Sequence, residues 1–487
     1  MKAITFMRNM AVLWPLREPP LTGAAKRATQ SAQQKPRSMT DWPDTFIFSG
    51  VEIDEPAREA RLRYALGDRH RFTERLVFDA PLPAPSDPRR APFEAALELL
   101  HLAAGVSYYK TCLPPRIVVE SAALGEAQRR FLQTLYVDGL GEFGVRNGLD
   151  VAARVDFLRA KTRDGAPRTA SRIPLPRRSA VLVGGGKDSL VSVEMLRAGG
   201  EPMTLFAVNP KKPILDCADA SGLPFAKVAR HLDPLLFELN AQGALNGHVP
   251  ITAIVSFIAL AASFVEGFDA VILSNERSAD QGNMVADGRE VNHQYSKTTA
   301  AERDIAAMIA AHVHADLAYF SLLRPLSEAQ IATLMARETR YDSAFTSCNR
   351  AFQINPKTPP ARWCGDCPKC RFSFLMLAAP MGRPRIEAVF GKNMLDDASQ
   401  LVGYEELVGL SGHKPWECVG EIAESGAALL RLAADPAWSD TAILRALAPR
   451  LRPLMPDPDG VWKTLMTPAP DHRLPARYEA MLRAYLS

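Results

Sequence analysis

The chain has 487 residues, and with 47% hydrophobic and 23% charged residues it has the composition of a globular protein large enough for two or three domains. No segment approaches the roughly 18 uninterrupted apolar residues of a membrane span, so we expect no membrane partner. The net charge is +4, but residues 1–38 carry seven basic residues and one acidic residue, which leaves the rest of the chain at −2. A basic surface for nucleic acid is therefore not indicated, and we expect no such partner.

The first 38 residues are interpreted as a disordered basic tail. Gln, Ser, Pro, Lys and Arg dominate residues 29–38, a composition that cannot bury a core. The apolar residues 10–16 are too few and wrongly flanked for a secretory signal, although a targeting role stays open. Met39 precedes the first segment of folded composition and is a candidate start. These features favour a cytoplasmic location.

Residues 39–160 are predicted to form an N-terminal α+β domain, and residues 161–178, rich in Pro and Arg, a linker. Apolar residues recur with helical spacing over 93–103 and 122–135. The aromatic pair at 108–109 is more typical of a packed helix end than of a binding patch.

Residues 179–345 are predicted to form an α/β domain with a parallel, doubly wound sheet. Short apolar runs alternate there with longer stretches of helical periodicity, which is typical of a parallel sheet with helices on both faces. Ligands bind such sheets at the carboxyl ends of the strands. The predicted strands are 180–184, 203–208, 270–273 and 317–320, and the predicted helices include 253–264 and 299–312.

A glycine turn follows the first predicted strand of this domain. It consists of Gly184, Gly185, Gly186, Lys187, Asp188 and Ser189. Glycines let the backbone approach an anion, and the N–H groups and dipole of the following helix favour negative charge. The Walker A loop needs Ser or Thr directly after its Lys, and the dinucleotide fingerprint needs a further glycine, so neither pattern fits. We expect a phosphorylated ligand at this turn.

Polar residues follow the other predicted strands and are candidates for substrate binding. Lys212 and Arg277 have the charge to bind carboxylates or a pyrophosphate, and Asn275 and Glu276 directly precede Arg277.

Three residues of the polar run 291–297 are candidates for catalysis. His293, Tyr295 and Lys297 are of types that serve as general acids and bases, and they follow a strand's carboxyl end. A lone His is often structural instead, and both interpretations of His293 stay open. We nominate His293 and Lys297 as the acid/base candidates, with Tyr295 beside them.

Four of the seven cysteines occur within 23 positions, at Cys348, Cys364, Cys367 and Cys370. Four thiolates satisfy tetrahedral zinc, so we expect a structural zinc site within residues 346–375. An iron–sulfur cluster is the alternative for the same ligands. The odd number of cysteines and the lack of a secretory signal disfavour disulfides.

The residues from 376 to 487 are predicted to be mainly helical, with apolar periodicity over 427–434 and 441–451. They are expected either to cap the pocket or to form an oligomer contact. The sequence leaves both interpretations open, and the oligomeric state with them.

The glycine turn resembles the Ser-Gly-Gly-x-Asp-Ser signature of the PP-loop ATP pyrophosphatases. Gly184 replaces the first Ser, whereas Gly185, Gly186, Asp188 and Ser189 match. The resemblance implies cleavage of ATP between the α- and β-phosphates and adenylation of a substrate oxygen. It implies that the glycines, the Lys and the Ser bind pyrophosphate and that Asp188 helps to hold Mg²⁺. The glycine at the first position removes one hydroxyl ligand of the pyrophosphate.

A second resemblance extends from about residue 44 to about residue 475. Its motifs are Gly105-Val-Ser-Tyr-Tyr-Lys110, the glycine turn, Asn275-Glu-Arg-Ser278, Val291-Asn-His-Gln-Tyr-Ser-Lys297 and Lys414-Pro-Trp-Glu-Cys-Val-Gly420. In this order they resemble the UDP-N-acetylmuramoyl-L-alanyl-L-glutamate epimerase family of peptidoglycan synthesis. The resemblance implies an isomerase that uses ATP and Mg²⁺ to convert the terminal L-Glu of a nucleotide-sugar dipeptide to D-Glu.

The implied chemistry explains why an epimerase would cleave ATP. The α-hydrogen beside a free carboxylate is a very poor acid, because its removal places a carbanion next to a negative charge. Adenylation cancels that charge and creates a carbonyl that stabilises an enolate. Deprotonation on one face, protonation on the other and hydrolysis then yield the inverted product and AMP.

Two other function classes remain open. His248-Val-Pro250, Arg324-Pro-Leu326, Ser347-Cys348 and the four-cysteine segment resemble the 7-cyano-7-deazaguanine synthase branch of the PP-loop enzymes. That resemblance implies an amidating or thiolating enzyme. A non-catalytic nucleotide sensor is the third class, against which the Asp-Ser pair argues.

Overall fold

The computed structural model describes residues 42–286, 288–352, 361–411 and 414–487. The predicted tail of residues 1–38 and the candidate start Met39 lie outside them. The described strands are β1 (Thr45–Asp54), β2 (Glu59–Leu66), β3 (His70–Phe78), β4 (Arg116–Val119), β5 (Lys161–Thr162), β6 (Ser179–Leu182), β7 (Met203–Val208), β8 (Phe225–His231), β9 (Ala270–Leu273), β10 (Met284–Ala286), β11 (Arg289–Val291) and β12 (Ala318–Ser321).

The described α-helices are α1 (Arg90–Ala104), α2 (Val106–Tyr109), α3 (Glu126–Gly139), α4 (Gly141–Asn147), α5 (Lys187–Ala198), α6 (Lys212–Ser221), α7 (Pro234–Ala241), α8 (Ile251–Glu266), α9 (Thr299–His312), α10 (Glu328–Met335), α11 (Pro368–Met381), α12 (Arg383–Phe390), α13 (Leu401–Leu407), α14 (Ile422–Ala434), α15 (Ala442–Leu451), α16 (Pro458–Leu465) and α17 (Ala476–Leu486). Among the described residues, no helix combines the length and apolarity that crossing a membrane requires.

One mixed sheet runs through the protein in the order β12-β9-β6-β7-β8-β3-β2-β1-β4-β5. The pairs from β12 to β8 are parallel. The pairs from β8 to β1 are antiparallel, and β4 and β5 extend the far edge in parallel. A separate antiparallel hairpin joins β10 and β11. The prediction of a mostly parallel sheet is confirmed.

Alternate residues of the parallel strands enter two different hydrophobic cores. Ala180, Phe206 and Val271 belong to one core, whereas Val181 and Leu205 belong to the other. Because successive side chains of a strand point to opposite faces, both faces of the sheet are covered. Helices α1, α8 and α9 contribute to the first core, and α5, α10 and α11 to the second. This is the doubly wound arrangement that the sequence predicted.

The sheet extends across the predicted boundary between the N-terminal α+β residues and the α/β residues. Strand β3 pairs with β8, and Phe78 lies opposite Val228. The predicted linker, residues 161–178, contributes β5 to one edge of the sheet, and its Ser171 forms a bridge with His314. The two predicted domains therefore share one sheet, and residues of both belong to the first hydrophobic core.

The sequence locates the parallel strands better than the antiparallel ones. Strands β7 and β9 and helix α9 have the predicted bounds, and β12 is shifted by one residue. The sequence does not predict β1, β2, β3 or β8 individually. One cause is an ion pair inside the sheet: Arg230 of β8 lies 2.7 Å from Glu74 of β3, with both side chains almost fully buried. Buried charges of this kind obscure the alternation that identifies a strand.

The last helix returns to the parallel sheet. The ring of Tyr478 on α17 lies 4.6 Å from that of Phe320 on β12. Its hydroxyl lies 2.9 Å from the Ser179 hydroxyl and donates to Glu201 at 3.1 Å. The C-terminal helices thus pack on the second core.

Candidate active site

The glycine turn lies between β6 and α5, at the carboxyl edge of the parallel strands. Gly185 has a φ of +75°, and a Cβ added to it would lie 3.3 Å from the backbone nitrogen of Ile214. Only glycine fits this position without strain. At Gly184 an added Cβ would meet nothing within 4 Å. The first N–H groups of α5, which have no partner inside the helix, lie at this turn and suit an anion.

The Lys of the turn is buried between two carboxylates. Lys187 donates to Asp188 and to Glu328, and the side chains of Lys187 and Glu328 are 0% and 1% exposed. Burial lowers the pKa of Lys187, but the two carboxylates outweigh burial and raise it above its ordinary value. Burial raises the pKa of Glu328 to about 7. Asp188 is 24% exposed and is the member of the trio with access to solvent.

The four clustered cysteines meet at one point. The sulfurs of Cys348, Cys364, Cys367 and Cys370 all lie within 4.8 Å of one another, and none is in a disulfide. The Cys364 and Cys370 sulfurs are 3.7 Å apart. Four sulfurs bound to one zinc at about 2.3 Å lie roughly 3.8 Å apart at tetrahedral corners. The four thiols therefore fit a zinc ion.

The cysteine segment contacts the glycine turn. The Thr346 N–H donates to the Gly185 carbonyl at 2.9 Å. A Cβ added to Gly186 would lie 2.8 Å from the Ser347 hydroxyl oxygen. On the other side of the segment, the Lys369 ammonium lies 3.9 Å from Glu328 Oε1. The cysteine segment and the turn thus form one continuous surface.

A second group of ionisable side chains, which we call the thiol cluster, contains Glu142, His248, His293, Lys297 and Cys418. Lys297 Nζ donates to Cys418 Sγ at 3.2 Å. His293 hydrogen-bonds through Nδ1 to Glu142, and its imidazole and the Cys418 thiol shift each other's pKa. The rings of His248 and His293 lie 4.4 Å apart. The thiol thus contacts an ammonium group and an imidazole whose other side is held by a carboxylate.

The charges of the cluster reinforce one another. Burial raises the pKa of Cys418, but the Lys297 charge and the His293 hydrogen bond outweigh burial and lower it to about 6. Burial lowers the pKa of His293, but hydrogen bonds to Cys418 and Glu142 raise it to about 9. Burial, followed by the His293 charge, lowers the pKa of His248 to about 4. These shifts favour a thiolate between two cations at neutral pH.

Glu142, His248 and His293 offer ligand atoms that lie within 4.8 Å of one another. Nδ1 of His293 is hydrogen-bonded directly to the Glu142 carboxylate, and His248 Nδ1 lies 3.7 Å from the same carboxylate. Glu142 and His293 therefore form a hydrogen-bonded pair with His248 beside them.

The structure brings the two nominated acid/base residues, His293 and Lys297, onto the same thiol. It places Tyr295 in the first hydrophobic core, where burial raises the pKa of its hydroxyl well above its ordinary value. Lys212 begins α6 beside the glycine turn, but its side chain is 83% exposed and pairs with Asp216 at 2.7 Å.

Hydrogen bonds to neighbouring residues hold the segment that follows β9. The Asn275 carbonyl accepts a 2.6 Å bond from Ser321, and buried Glu276 accepts one from Ser278. Arg277 donates one N–H to the Thr467 carbonyl at 3.4 Å, and its buried Nη2 has no partner among the described residues. Of this segment, Glu276 is the group whose charge acts on Lys297.

Four residues of the site are not nominated from the sequence: Glu142, His248, Glu328 and Cys418. Glu328 follows β12 at the ligand-binding edge, so the strand-end rule that led to residues 274–278 was a usable signal for it. Glu142 lies in Gly139-Leu-Gly-Glu-Phe143, where two glycines interrupt the helical spacing. Cys418 lies in the motif at residues 414–420, but the motif does not indicate a role for the thiol. That role is indicated by its contact with Lys297.

Two family models match this chain. The MurL N-terminal domain matches residues 38–322, and the MurL C-terminal domain matches residues 344–458. Curated relatives named UDP-N-acetyl-alpha-D-muramoyl-L-alanyl-L-glutamate epimerase match nearly full length. The relative from Xanthomonas oryzae pv. oryzae is 41% identical over 90% of this chain and 97% of its own. Those from Salinispora tropica and Micromonospora sp. are 44% and 42% identical, over 88% and 90% of this chain and 92% and 98% of their own. The chain therefore belongs to the MurL family.

Proposed function

We propose that this protein is an ATP-dependent epimerase that converts the terminal L-Glu of UDP-MurNAc-L-Ala-L-Glu to D-Glu. The names of its relatives support the reaction. The observation that carries the proposal is that Lys369 joins the thiol cluster to the glycine turn. Its backbone N–H donates to Glu417, the neighbour of Cys418, at 3.1 Å, and its ammonium lies 3.9 Å from Glu328, the partner of Lys187. A group suited to proton transfer thus lies near a loop suited to phosphate.

The first step is adenylation of the substrate carboxylate. The backbone N–H groups of the turn, with the Ser189 hydroxyl, hold the pyrophosphate that leaves ATP. The buried Lys187 ammonium holds Asp188 in place and adds positive charge to the turn. Asp188 is the carboxylate of the turn with solvent access, and its oxygens suit Mg²⁺. When bound there, Mg²⁺ neutralises negative charge on the phosphates. This step is the chemistry of the PP-loop ATP pyrophosphatases, whose signature the turn resembles.

The second step inverts the α-carbon. The adenylated carboxyl group accepts the electron pair of the broken C–H bond as an enolate, and proton donors around it stabilise that charge. The thiol cluster supplies ionisable groups for proton transfer, with His293 and Lys297 as the residues nominated from the sequence. Hydrolysis of the anhydride then releases AMP.

The cysteine quartet has a structural part in this proposal. Zinc held by the four thiols would fix the segment that contacts both the glycine turn and Glu328. No reaction step passes through it.

The test uses the full-length protein with ATP, Mg²⁺ and UDP-MurNAc-L-Ala-L-Glu. We expect D-Glu in the product together with AMP and pyrophosphate, each dependent on the dipeptide substrate. Asp188→Asn should abolish all three products, whereas Asp219→Asn, at an exposed position on α6, should abolish none. Absence of both AMP and D-Glu would remove the proposal. AMP formation that requires ammonia, a sulfur donor or RNA would instead favour the amidating or thiolating alternative.

A further inference from the structure

We propose that Cys418 is a catalytic residue whose thiolate removes the α-proton of the activated glutamyl residue, with Lys297 and His293 as positioning residues that hold the thiolate. This assignment rests on the proposed function and goes beyond it, because the sequence nominates His293 and Lys297, and not Cys418, as the acid/base residues. It follows from what surrounds the Cys418 sulfur.

The segment that carries Cys418 is attached on two sides. The Asn283 side-chain amide donates to the Pro415 carbonyl at 2.9 Å, and Lys414 donates to Gln281 at 3.3 Å. On the other side, the Glu417 carboxylate accepts the backbone N–H of Lys369 at 3.1 Å. The segment therefore spans from the hairpin region to the cysteine segment. A position held from both sides is suited to presenting one reactive atom.

Several cations surround the thiol. The Lys297 ammonium donates to it, and His293, Lys369 and Lys414 act on it through space. The Glu142 carboxylate binds the His293 imidazole. Cationic surroundings stabilise a thiolate. Cys418 is also partly exposed, so a substrate can reach it.

The other cysteines lack these surroundings. Cys112 and Cys217 are buried, and burial raises the pKa of their thiols to about 11 and about 12. The remaining four form the quartet that fits zinc. Cys418 is thus the cysteine of this chain equipped to act as a base at neutral pH.

The proton balance of the step is complete. The thiolate takes the α-proton as an S–H bond forms, and the C–H electron pair passes into the enolate. A proton that originates from water is delivered to the opposite face and restores the C–H bond with inverted configuration. The S–H proton then returns to solvent, which regenerates the thiolate. In D₂O the product should therefore carry deuterium at the α-carbon.

The experiment compares Cys418→Ser with Cys112→Ser in the full-length protein. Serine keeps the size and polarity of the side chain but is a far weaker acid. We expect Cys418→Ser to lower α-deuterium incorporation by roughly 100-fold or more while substrate-dependent AMP formation persists. Cys112→Ser should retain both activities. Unchanged deuterium incorporation in Cys418→Ser would overturn the assignment and leave the proposed function intact.

Alkylation of the wild-type protein tests the same assignment without relying on the folding of Cys418→Ser. Iodoacetamide should label Cys418 with a midpoint near pH 6, and Lys297→Met should move that midpoint to higher pH. Labelled protein should lose deuterium exchange and keep AMP formation. Labelling that requires alkaline pH, or labelled protein that still exchanges, would overturn the assignment. If the wild type forms neither AMP nor D-Glu, the proposed function fails, and this assignment fails with it.

Discussion

The backbone N–H of Thr346 donates a 2.9 Å hydrogen bond to the carbonyl oxygen of Gly185, 161 positions earlier in the chain. This bond joins the cysteine segment to Gly185, the glycine of the phosphate turn with positive φ. It also places the next residue, Ser347, against Gly186, with no hydrogen-bond partner for its hydroxyl among the described residues. Two motifs that are separate in the sequence therefore form one surface.

Ser347 is positioned to supply the hydroxyl that the turn lacks at Gly184. Ser347→Ala should raise the KM for ATP about tenfold, which corresponds to the loss of one hydrogen bond to a charged group. Gly184→Ser should restore the KM in that background, because the space around Gly184 is open. Steady-state kinetics would measure both effects. Ser343→Ala, at an exposed position nearby, is the control. An unchanged KM in Ser347→Ala would exclude this role.

The four cysteines should hold about one zinc ion per chain, with no visible absorption of an iron–sulfur cluster. Cys370→Ser should lower the zinc content and raise the KM for ATP, because the segment that holds Thr346 against Gly185 loosens. Metal analysis and absorption spectroscopy on the purified protein would measure this. Cys112→Ser should keep its zinc. Iron in place of zinc would favour the alternative that the sequence left open.

The local parts of the site were predictable, and its long-range contacts were not. The glycine turn and the cysteine quartet are short sequence motifs whose spacing indicates their chemistry. Glu328 lies 141 positions from its partner Lys187, and Cys418 lies 121 positions from Lys297. No periodicity or motif encodes such pairs. The sheet order brings Glu328 to Lys187, and the contacts of residues 414–417 with Gln281, Asn283 and Lys369 bring Cys418 to Lys297. The same limit applies to β3 and β8, whose pairing spans the predicted linker.

Arg324 holds the backbone of the segment after β9 and of the thiol cluster. Its side chain donates to the carbonyls of Glu276 and Lys297 at 2.8 and 2.6 Å and binds the Glu302 carboxylate at 2.8 Å. Lysine cannot reproduce this fork of donors. Arg324→Lys should lower the free energy of unfolding by about 2 kcal/mol and reduce kcat. Urea denaturation and steady-state assays would measure the two effects.

The control for Arg324 is available on the neighbouring helix. Arg303 on α9 is 59% exposed, and its one ion pair within the described part of the chain is with the adjacent Asp304, at 3.0 Å. Arg303→Lys should change the unfolding free energy by less than about 0.5 kcal/mol and leave kcat unchanged. If Arg324→Lys behaved like Arg303→Lys, the anchoring role would be excluded.

Acid should destabilise the fold through His101, far from the site. This residue is 0% exposed, its Nε2 lies 2.9 Å from the Arg63 carbonyl oxygen, and its ring lies 4.7 Å from that of Tyr64. Burial outweighs the bond to the carbonyl and lowers the pKa of His101 from 6.5 to about 4. The folded state therefore prefers the neutral ring. The stability it contributes is complete above pH 6.5 and is lost as the pH falls through about 4.

Roughly 3 kcal/mol of unfolding free energy should depend on this ionisation. Urea midpoints measured between pH 7 and pH 4 should fall less steeply for His101→Phe than for the wild type, because Phe cannot be protonated. The exposed His231 is the control, and His231→Gln should follow the wild-type curve. Parallel curves for His101→Phe and the wild type would show that other groups cause the acid sensitivity. A shallower curve for His101→Phe alone would assign it to the neutral imidazole packed between the first helix and the antiparallel strands.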